Sequence, residues 1–369
     1  MHNTGRKIAI IGGGIGGLTA ALAFARQDAK VTVYEQAEAL TEVGAGLQIT
    51  PNGMRALHAL QLQRALDVTG IAAEAVVPTD ALSGQAITRF DLSRQTPRYQ
   101  FFHRAALLDV LARACQAEHV EIKLGVRVSV LAPSGRAVVD GQELAADLVV
   151  GADGLHSVVR QAMNKPEKPF FTGQVAWRAL IKTTEAPPEA RIWMAPGRHV
   201  VTYPLPFNKL NIVAVQERAA WADEGWNHAD DPANLQAAFA DCAPELRAIL
   251  DQVAQVNLWG LFRHPVAEHW HLDRAAILGD AAHPTLPFLA QGANLAIEDA
   301  YVLARLCNEN ADLSHALHDY QAMRRPRVLK AINAANANAR NYHLSGLQRR
   351  VAHIGLKAMG CVGGSLLWR

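Results

Sequence analysis

A glycine-rich turn near the N-terminus constrains the fold of this chain most strongly. The sequence reads IAIIGGGIGGLTAALAFA from Ile8, and Gly12, Gly14 and Gly17 have the spacing G-x-G-x-x-G. An apolar run precedes the turn, a run of small helix-forming residues follows it, and KVTVYE at 30–35 has the composition of a strand. This order predicts a strand, a turn, a helix and a second parallel strand, as in a nucleotide-binding α/β sheet.

The positions of the glycines favour a dinucleotide site over an ordinary turn. Gly12 permits the tight turn, Gly14 lets the backbone approach a pyrophosphate, and Gly17 lets helix and strand pack closely. The helix that begins at Ile15 attracts phosphate at its N-terminus. Glu35 ends the second strand, where a carboxylate can accept hydrogen bonds from a ribose and disfavours a 2′-phosphate. The pattern therefore indicates FAD or NAD rather than NADP, without deciding between the first two.

Composition and charge exclude several classes of protein. The chain has 369 residues, half of them hydrophobic and 19% charged, which is typical of two joined globular domains. The net charge is +2 and no basic run is present, so a nucleic-acid partner is not expected. The four cysteines are scattered without a C-x-x-C pair, and neither a secretory signal nor 18 uninterrupted apolar residues occur. We therefore expect a cytoplasmic protein with reduced thiols and no membrane span.

The order of the patterns predicts two interleaved domains. The segments QVAWRALIK, RIWMAPGRHVVTYPLP and KLNIVAVQE are typical of antiparallel strands, and HRAALLDVLARAC is an amphipathic helix. The apolar segment after residue 350 carries Lys357 and several glycines, so a docking helix is expected there rather than an anchor. The predicted limits are 1–75, 100–170 and 260–350 for a nucleotide-binding α/β domain, 76–99 and 171–259 for a mainly β domain, and 351–369 for a C-terminal helical tail.

Two further motifs place an acidic residue just beyond a buried strand. These are GADGLHSVVR, with Asp153, and LGDAAHPTLPFLAQGANLAIEDA, with Asp280. Ligands bind at such strand ends in open α/β sheets. Together with the glycine turn, the motifs resemble the single-component flavoprotein aromatic hydroxylases, the family of p-hydroxybenzoate hydroxylase. The segments GAGLQITPNGMRAL, HRAALLDVL and AAHPTLPFLAQGANLAIEDA are most similar to the branch of salicylate hydroxylase and 6-hydroxynicotinate 3-monooxygenase.

The resemblance implies a fold and a reaction. The fold is a Rossmann-like FAD-binding domain with an interleaved, mainly antiparallel β-sheet substrate domain and C-terminal helices. The cofactor is FAD, NADH or NADPH docks transiently as co-substrate, and O₂ forms a flavin C4a-hydroperoxide that hydroxylates a phenolic or N-heteroaromatic substrate, expected to carry a carboxylate. A monomer or homodimer is expected.

The resemblance also assigns residues to the cofactor. Glu35 holds the adenosine ribose, Arg104 reaches the FAD chain, Val126 lies beside the adenine end, Asp280 meets the ribityl or pyrophosphate region, and Gln48 lies near the isoalloxazine. The complete set implied in this way is Gly12, Gly14, Ile15, Gly17, Glu35, Gln36, Gln48, Arg104, Val126, Asp153, Asp280, Gly292, Ala293 and Asn294.

Some of these assignments have a structural alternative. Gly292–Asn294 opens a helix whose N–H groups and dipole would face the pyrimidine edge of the flavin. Asp153 and Arg160 would be shared between FAD and the nicotinamide cofactor, but an aspartate at this point also commonly caps the next helix. The alternative for Arg104 is a solvated residue at a helix start, although the resemblance favours the cofactor role.

Two residues are candidates for the chemistry on the substrate. His199 and Tyr203 lie at positions i and i+4 of GRHVVTYPLP, so they project to one face of a strand. A histidine that titrates near neutral pH suits the deprotonation of a phenol, and the His-x-x-x-Tyr pair matches the branch named above. The alternatives are that His199 is a half-exposed strand residue and that Tyr203 is an ordinary core residue.

Arg178 could bind a substrate carboxylate or form a structural salt bridge.

Other residues give weaker indications of function. His264, His269 and His271 are closely spaced, but no carboxylate and cysteine set accompanies them, so no metal is expected. His283 is expected to satisfy backbone groups, and Pro287 and Phe288 to give an apolar pocket over the flavin. The rival functions are an FAD monooxygenase of another substrate class (urate, quinolone or polyketide), a flavoprotein dehydrogenase or oxidase, and a nucleotide-binding chaperone-like protein.

Overall fold

The computed structural model of the chain describes residues 2–40, 46–131, 136–165, 167–183, 186–219, 228–285 and 290–362. Its helices are α1 (Ile15–Ala25), α2 (Pro51–Ala59), α3 (Gln63–Thr69), α4 (Arg104–Ala117), α5 (Val158–Met163), α6 (Pro232–Ala238), α7 (Pro244–Leu250), α8 (Gln291–Glu309), α9 (Leu313–Tyr342) and α10 (Gly346–Val362), with a 3-10 turn at Gly279–Ala281. Its strands are β1 (Lys7–Ile11), β2 (Lys30–Tyr34), β3 (Gly46–Ile49), β4 (Ile71–Ala72), β5 (Ala75–Asp80), β6 (Phe90–Asp91), β7 (Gln100–His103), β8 (Glu121–Lys123), β9 (Ser129–Leu131), β10 (Arg136–Val139), β11 (Gln142–Glu143), β12 (Leu148–Gly151), β13 (Phe170–Lys182), β14 (Glu189–Ala195), β15 (Arg198–Leu205), β16 (Lys209–Glu217), β17 (His228–Asp230), β18 (Val256–Arg263), β19 (His271–Leu272) and β20 (Ala275–Ile277).

The first sheet has the predicted parallel strands at its centre. Its order is β19-β20-β12-β1-β2-β8, and β1 runs parallel to both β12 and β2. Ile8 of β1 lies opposite Leu148 on one side and Val31 on the other. Since the strands are parallel, their carboxyl ends meet at one edge, and the glycine turn and the turns that carry Asp153 and Asp280 all leave from that edge.

The second sheet is the predicted β domain. Its order is β17-β18-β13-β16-β15-β14-β5-β6, and the strands from β13 to β16 pair antiparallel. It extends to Arg263, beyond the predicted boundary at 259. The limits of the two domains otherwise remain a prediction.

The two faces of this sheet have different neighbours. On β15, Val200 belongs to the apolar cluster that α6 and α7 complete, together with Trp177 and Phe239. Val201 and Tyr203 project to the opposite face, because side chains alternate along a strand. That opposite face is turned toward β3 and β7, which lie between the two large sheets.

A small sheet of β3, β7 and β4 joins the two large ones. The Gly46 amide donates to the Asn211 side-chain oxygen at 2.8 Å, and a Cβ placed on Gly46 would lie 2.6 Å from the ring of Tyr203. Only a glycine lets β3 approach the second sheet this closely. This contact positions Gln48, two residues further along β3, at the junction of the domains.

The C-terminal helix α10 docks on the β domain, as predicted. Arg349 pairs with Asp80 at the end of β5, and Leu356 packs on the apolar cluster of that domain. The last seven residues, 363–369, lie outside the described part of the chain. None of the helices in the described part is long and apolar enough to cross a membrane.

A buried ionic network connects α8, α9 and the 3-10 turn. The carboxylate of Asp299 accepts hydrogen bonds from the Gly279 amide at 3.2 Å and from Arg324 Nε at 2.7 Å, and it also pairs with His283. Arg324 donates to Glu298 at 2.6 Å as well. Burial raises the pKa of Asp299, but the charges of His283 and Arg324 outweigh that effect and bring it from 3.8 to about 2. The stabilisation is therefore complete above about pH 4 and is lost as the pH falls toward 2.

We predict that Arg324→Met lowers the free energy of unfolding by about 3–5 kcal/mol, because two buried carboxylates lose their cation. Arg327→Met is the matched control: it pairs with the same Glu298, but its side chain is 44% exposed. The control should cost about 1 kcal/mol or less. Urea denaturation of both variants at neutral pH measures the difference, and equal losses would contradict the role of the buried network.

Candidate active site

The glycine turn is shaped for close packing on one side and for access on the other. Gly12 has a φ of +103°, and a Cβ there would lie 2.4 Å from the carbonyl oxygen of Ala152. A Cβ on Gly17 would lie 2.0 Å from the carbonyl oxygen of Gly12. A Cβ on Gly14 would meet nothing within 4 Å, so open space lies in front of the N-terminus of α1. That helix has no side-chain cap and no acidic residue in its first turn, which suits a bound phosphate.

Glu35 both holds the turn and faces the expected ribose position. Its two oxygens accept the Gly13 amide at 2.6 Å and the Ala37 amide at 2.8 Å. A carboxylate has about four acceptor positions, so it can also accept ribose hydroxyls. Val126 lies beside it, since the Val126 amide donates to the Glu35 carbonyl at 2.9 Å, and Gln36 is exposed next to both.

Asp280 and Arg104 lie close enough for their charges to interact. Asp280 lies in the 3-10 turn, and Arg104 begins α4. Asp280 retains accessible surface although protein atoms surround it on most sides, as expected of a side chain that lines a cleft. Burial raises the pKa of Asp280, and the charges of His283 and Arg104 lower it. No hydrogen bond to Asp280 occurs among the residues that the structure describes. Its carboxylate can therefore accept hydrogen bonds from the hydroxyl groups of a polyhydroxyl or phosphate-linked ligand.

Asp153 has the capping role that was the alternative prediction. Its Oδ2 accepts the Val158 amide at 2.8 Å at the start of α5. Its Oδ1, in contrast, is buried and has no hydrogen-bond partner. Arg160 donates to the carbonyls of Ala281 at 3.2 Å and Pro265 at 2.8 Å, so its guanidinium supports the loop that carries Asp280. A direct role of either residue in cofactor binding stays a prediction.

The N-terminus of α8 is joined to β3 by one buried amide. The Asn294 side chain accepts the Thr50 amide at 2.9 Å and donates to the Gln48 carbonyl at 3.0 Å. Ala290, just before the helix, has a left-handed conformation with φ of +53°. Gly292 and Ala293 therefore lie in a first turn whose direction is fixed by β3. The predicted pocket residues at 287 and 288 lie outside the described part of the chain.

Tyr203 lies in a polar group at the junction of the domains. Tyr203 is 3% exposed, its ring centroid is 5.1 Å from that of Phe101, and Gln48 hydrogen-bonds its hydroxyl. Gln48 also accepts a hydrogen bond from Tyr99. Burial raises the pKa of Tyr203, although Arg178 and Gln48 act in the opposite direction. Tyr203 thus stays protonated at neutral pH and can donate a hydrogen bond.

His199 belongs to a separate polar group on the same sheet face. It is 1% exposed, so the alternative of a half-exposed strand residue is wrong. Its Nδ1 lies 2.7 Å from Nε2 of His343, and Nδ1 of His343 lies 2.7 Å from the Glu217 carboxylate. The edge of Tyr342 contacts the His199 ring, with centroids 5.2 Å apart. Four residues of strand separate His199 from Tyr203, about 13 Å.

Sequence reasoning missed His343, Tyr342 and Tyr99. The first two end α9, about 140 residues after His199, and no motif connects them with β15. His283 was expected to satisfy backbone groups, and this was wrong, because it pairs with the Asp299 carboxylate.

No group of three or more metal-ligating side chains comes together within the described ranges.

Comparison with known proteins identifies the family. A model of the FAD binding domain family matches residues 6–335. A 3-amino-4-hydroxybenzoate 2-monooxygenase of Streptomyces cremeus is 33% identical over 92% of this chain and 88% of its own length. A 6-hydroxynicotinate 3-monooxygenase of Pseudomonas fluorescens is 30% identical over 90% of this chain and 91% of its own length. The crystal structure of Klebsiella pneumoniae HpxO with FAD and uric acid has a TM-score of 0.82 at 25% identity and covers 96% of this chain and 93% of HpxO.

The chain therefore belongs to the FAD-dependent aromatic hydroxylases, the family of p-hydroxybenzoate hydroxylase, and is a flavoprotein monooxygenase whose cofactor is FAD. This confirms the family, the fold class and the FAD that the motifs predicted. The open space before Gly14, the carboxylate of Asp280 and the buried Oδ1 of Asp153 all fit that group. The individual contacts of each residue with FAD stay predictions.

We predict that Asp280→Ala weakens FAD binding about 10- to 100-fold, as expected for the loss of a hydrogen bond to a charged group. Asp251→Ala, at an exposed position after α7, is the control and should bind FAD like the parent. Titration of the apoprotein with FAD, followed by flavin fluorescence, measures both. Parent-like affinity in Asp280→Ala would remove this residue from the cofactor site.

Proposed function

We propose that this enzyme uses NADH or NADPH and O₂ to hydroxylate a phenolic or N-heteroaromatic carboxylate. The observation that carries the choice of a carboxylate is the half-buried side chain of Arg178, whose Nε atom is buried. Its Nε has no hydrogen-bond partner, and its Cζ stacks 4.6 Å from the ring centroid of Trp259. No carboxylate within the described residues pairs with Arg178, so the alternative of a structural salt bridge is not supported.

The electrostatics around Arg178 favour an anionic ligand. Burial lowers its pKa to about 10; the nearby Tyr203 acts against this shift, and the charge of Arg104 adds to it. A buried cation without a counter-ion is unfavourable, and a substrate carboxylate would supply the missing charge. The relatives named above act, by their names, on an aminohydroxybenzoate and a hydroxynicotinate, which are both aromatic carboxylates with a ring hydroxyl.

The residues on this sheet face can then have separate roles in the reaction. Bound FAD supplies the redox chemistry, which is the acceptance of a hydride and the activation of oxygen. Arg178 orients the substrate carboxylate, Tyr203 donates a hydrogen bond, and His199 accepts the proton of the ring hydroxyl, which makes the ring more nucleophilic. Burial lowers the pKa of His199 well below 6.5, so its imidazole is neutral at neutral pH and able to accept a proton.

A monooxygenase for another substrate class is the second candidate. The likeness to HpxO, crystallised with uric acid, supports it, because urate is also a nitrogen heterocycle that can carry negative charge. A dehydrogenase or oxidase would leave its product without oxygen from O₂. The choice between NADH and NADPH, the monomeric or dimeric state and the cytoplasmic location remain predictions.

A substrate screen tests the proposal. We expect a yellow protein whose NAD(P)H oxidation is stimulated by 3-hydroxybenzoate, 3-amino-4-hydroxybenzoate or 6-hydroxynicotinate, with one oxygen atom from labelled O₂ in the product. Stimulation by uric acid alone would favour the second candidate. Reductant consumption without labelled product would contradict a hydroxylase function.

We predict that Arg178→Met raises KM for the carboxylate substrate about 10- to 100-fold, the loss expected for a charge-assisted hydrogen bond. For the matching carboxamide the change should be small. Arg191→Met is the control, because Arg191 also stacks on a tryptophan of this sheet, 5.3 Å from the Trp193 ring centroid, but lies opposite Thr202 and so projects to the face away from Tyr203. If both variants raise KM equally, or if acid and amide respond alike, Arg178 does not bind the carboxylate.

A further inference from the structure

The C-terminal helix α10 turns four large apolar side chains to solvent. Leu347, Val351, Ile354 and Met359 are between 50% and 75% exposed. Ten large hydrophobic side chains are exposed in the described part of the chain, and these four lie within thirteen consecutive residues. Clusters of exposed apolar side chains mark sites of interaction with other molecules. We propose that this side of α10 binds the surface of a membrane that contains anionic lipids.

The exposed side chains form one continuous face of the helix. Leu347, Val351, Ile354 and the exposed Ala358 follow each other at intervals of four, three and four residues. In a helix with 3.6 residues per turn, this spacing brings the four side chains to the same side. Met359 lies at the edge of this set. We call the four side chains the outer face of α10.

The opposite side of α10 is in contact with the protein. Arg349, Ala352, His353 and Leu356 share that side and are half-buried. Arg349 pairs with Asp80, and Nδ1 of His353 lies 3.6 Å from a carboxylate oxygen of the same aspartate. Leu356 packs on the apolar cluster of the β domain. These contacts hold α10 against the second sheet and point the outer face away from the protein.

The charges of α10 favour an anionic partner. Its sequence from 346 to 362 contains Arg349, Arg350 and Lys357 but no aspartate or glutamate. Arg350 and Lys357 are exposed, lie seven residues apart along one margin of the outer face, and form no ion pair within the described ranges. A long basic side chain in this position can lay its methylene groups against apolar atoms and bring its charge to lipid phosphates. An apolar face flanked by cations is typical of helices that lie in the membrane interface.

A second copy of this chain is less complementary to the outer face. In an antiparallel pair of α10 helices, Arg350 of one copy would lie beside Lys357 of the other, and like charges that meet at an interface oppose binding. In a parallel pair, the other α10 would supply no carboxylate to either cation. An anionic lipid surface supplies phosphates to both cations and an apolar layer to the side chains beside them.

The inferred binding is peripheral and independent of the proposed substrate. With its cations along one margin, α10 would lie parallel to the membrane and insert its outer face about 5–10 Å into the boundary between headgroups and acyl chains. The sequence outside the described part, from 363 to 369, contains Leu366, Leu367 and Trp368, and tryptophan is enriched at membrane–water interfaces. The contacts of Arg349 and Leu356 with the second sheet can persist on the membrane, because they lie on the other side of the helix.

Sedimentation with lipid vesicles tests the inference. The full-length FAD holoenzyme is mixed with vesicles of phosphatidylcholine and phosphatidylglycerol in equal parts, or with vesicles of phosphatidylcholine alone, and flavin absorbance in the pellet gives the bound fraction. We expect a partition coefficient at least tenfold higher on the anionic vesicles. Raising the salt from about 0.1 M to about 1 M shortens the Debye length from about 10 Å to about 3 Å and should remove most of this difference.

Two double variants separate the contributions of charge and apolar surface. Arg350→Gln with Lys357→Gln should lower the partition coefficient on anionic vesicles about 25-fold, since each cation near such a surface contributes a factor of about five. Val351→Ser with Ile354→Ser should lower it at least tenfold, because apolar surface that enters the lipid is lost. All four side chains are exposed, so both variants should keep the FAD content and the thermal unfolding temperature of the parent.

Helix α3 provides a matched control. Arg64 and Val68 are exposed on it, and no other large apolar side chain of α3 is exposed, so Arg64→Gln with Val68→Ser should bind vesicles like the parent. The inference is overturned if the parent does not sediment with anionic vesicles, if it binds both kinds of vesicle equally, or if the control loses as much binding as the α10 variants. It is also overturned if light scattering shows a parent dimer that Val351→Ser with Ile354→Ser dissociates and that binds no vesicles, because a second copy would then cover the outer face.

Discussion

The close approach of three backbone segments at the carboxyl edge of the parallel sheet is the constraint on which the rest depends. Gly12 abuts the Ala152 carbonyl, and Gly17 abuts the Gly12 carbonyl, at distances that no Cβ permits. This contact seats the N-terminus of α1 beside the turn that carries Asp153. The ends of β1, β12 and β20 therefore converge, and the charged and polar groups that fit FAD lie along one edge of the sheet.

The second requirement is a fixed relation between the cofactor domain and the substrate sheet. Two asparagines provide it from opposite sides of β3. Asn211 holds Gly46, and Asn294 holds the backbone at Thr50 and Gln48. Because Asn211 lies opposite Tyr203 in the sheet and Asn294 lies in the first turn of α8, the register of β3 fixes the position of the Tyr203 face relative to the N-terminus of α8.

Charged side chains are paired differently in the scaffold and at the candidate site. Around Asp299 each charge has its counter-charge within the protein, and the network stabilises the fold. In the described part of the molecule, Asp280 accepts no hydrogen bond from the protein and Arg178 has no carboxylate partner. Such groups are unfavourable unless a ligand completes them, and for this reason we propose that the cofactor binds at Asp280 and an anionic substrate at Arg178.

The sequence by itself determined the dinucleotide turn, the parallel unit around β1, the antiparallel strands from β13 to β16 and the family. These depend on local spacing, because a turn needs glycine at particular positions and a strand alternates its side chains. Only the tertiary structure decided that His199 joins His343 and Glu217, that Asp153 caps α5, and that Arg178 has no carboxylate partner among the described residues. The physical reason is that a side chain's partners come from segments distant along the chain, and burial and charge pairing exist only once those segments pack.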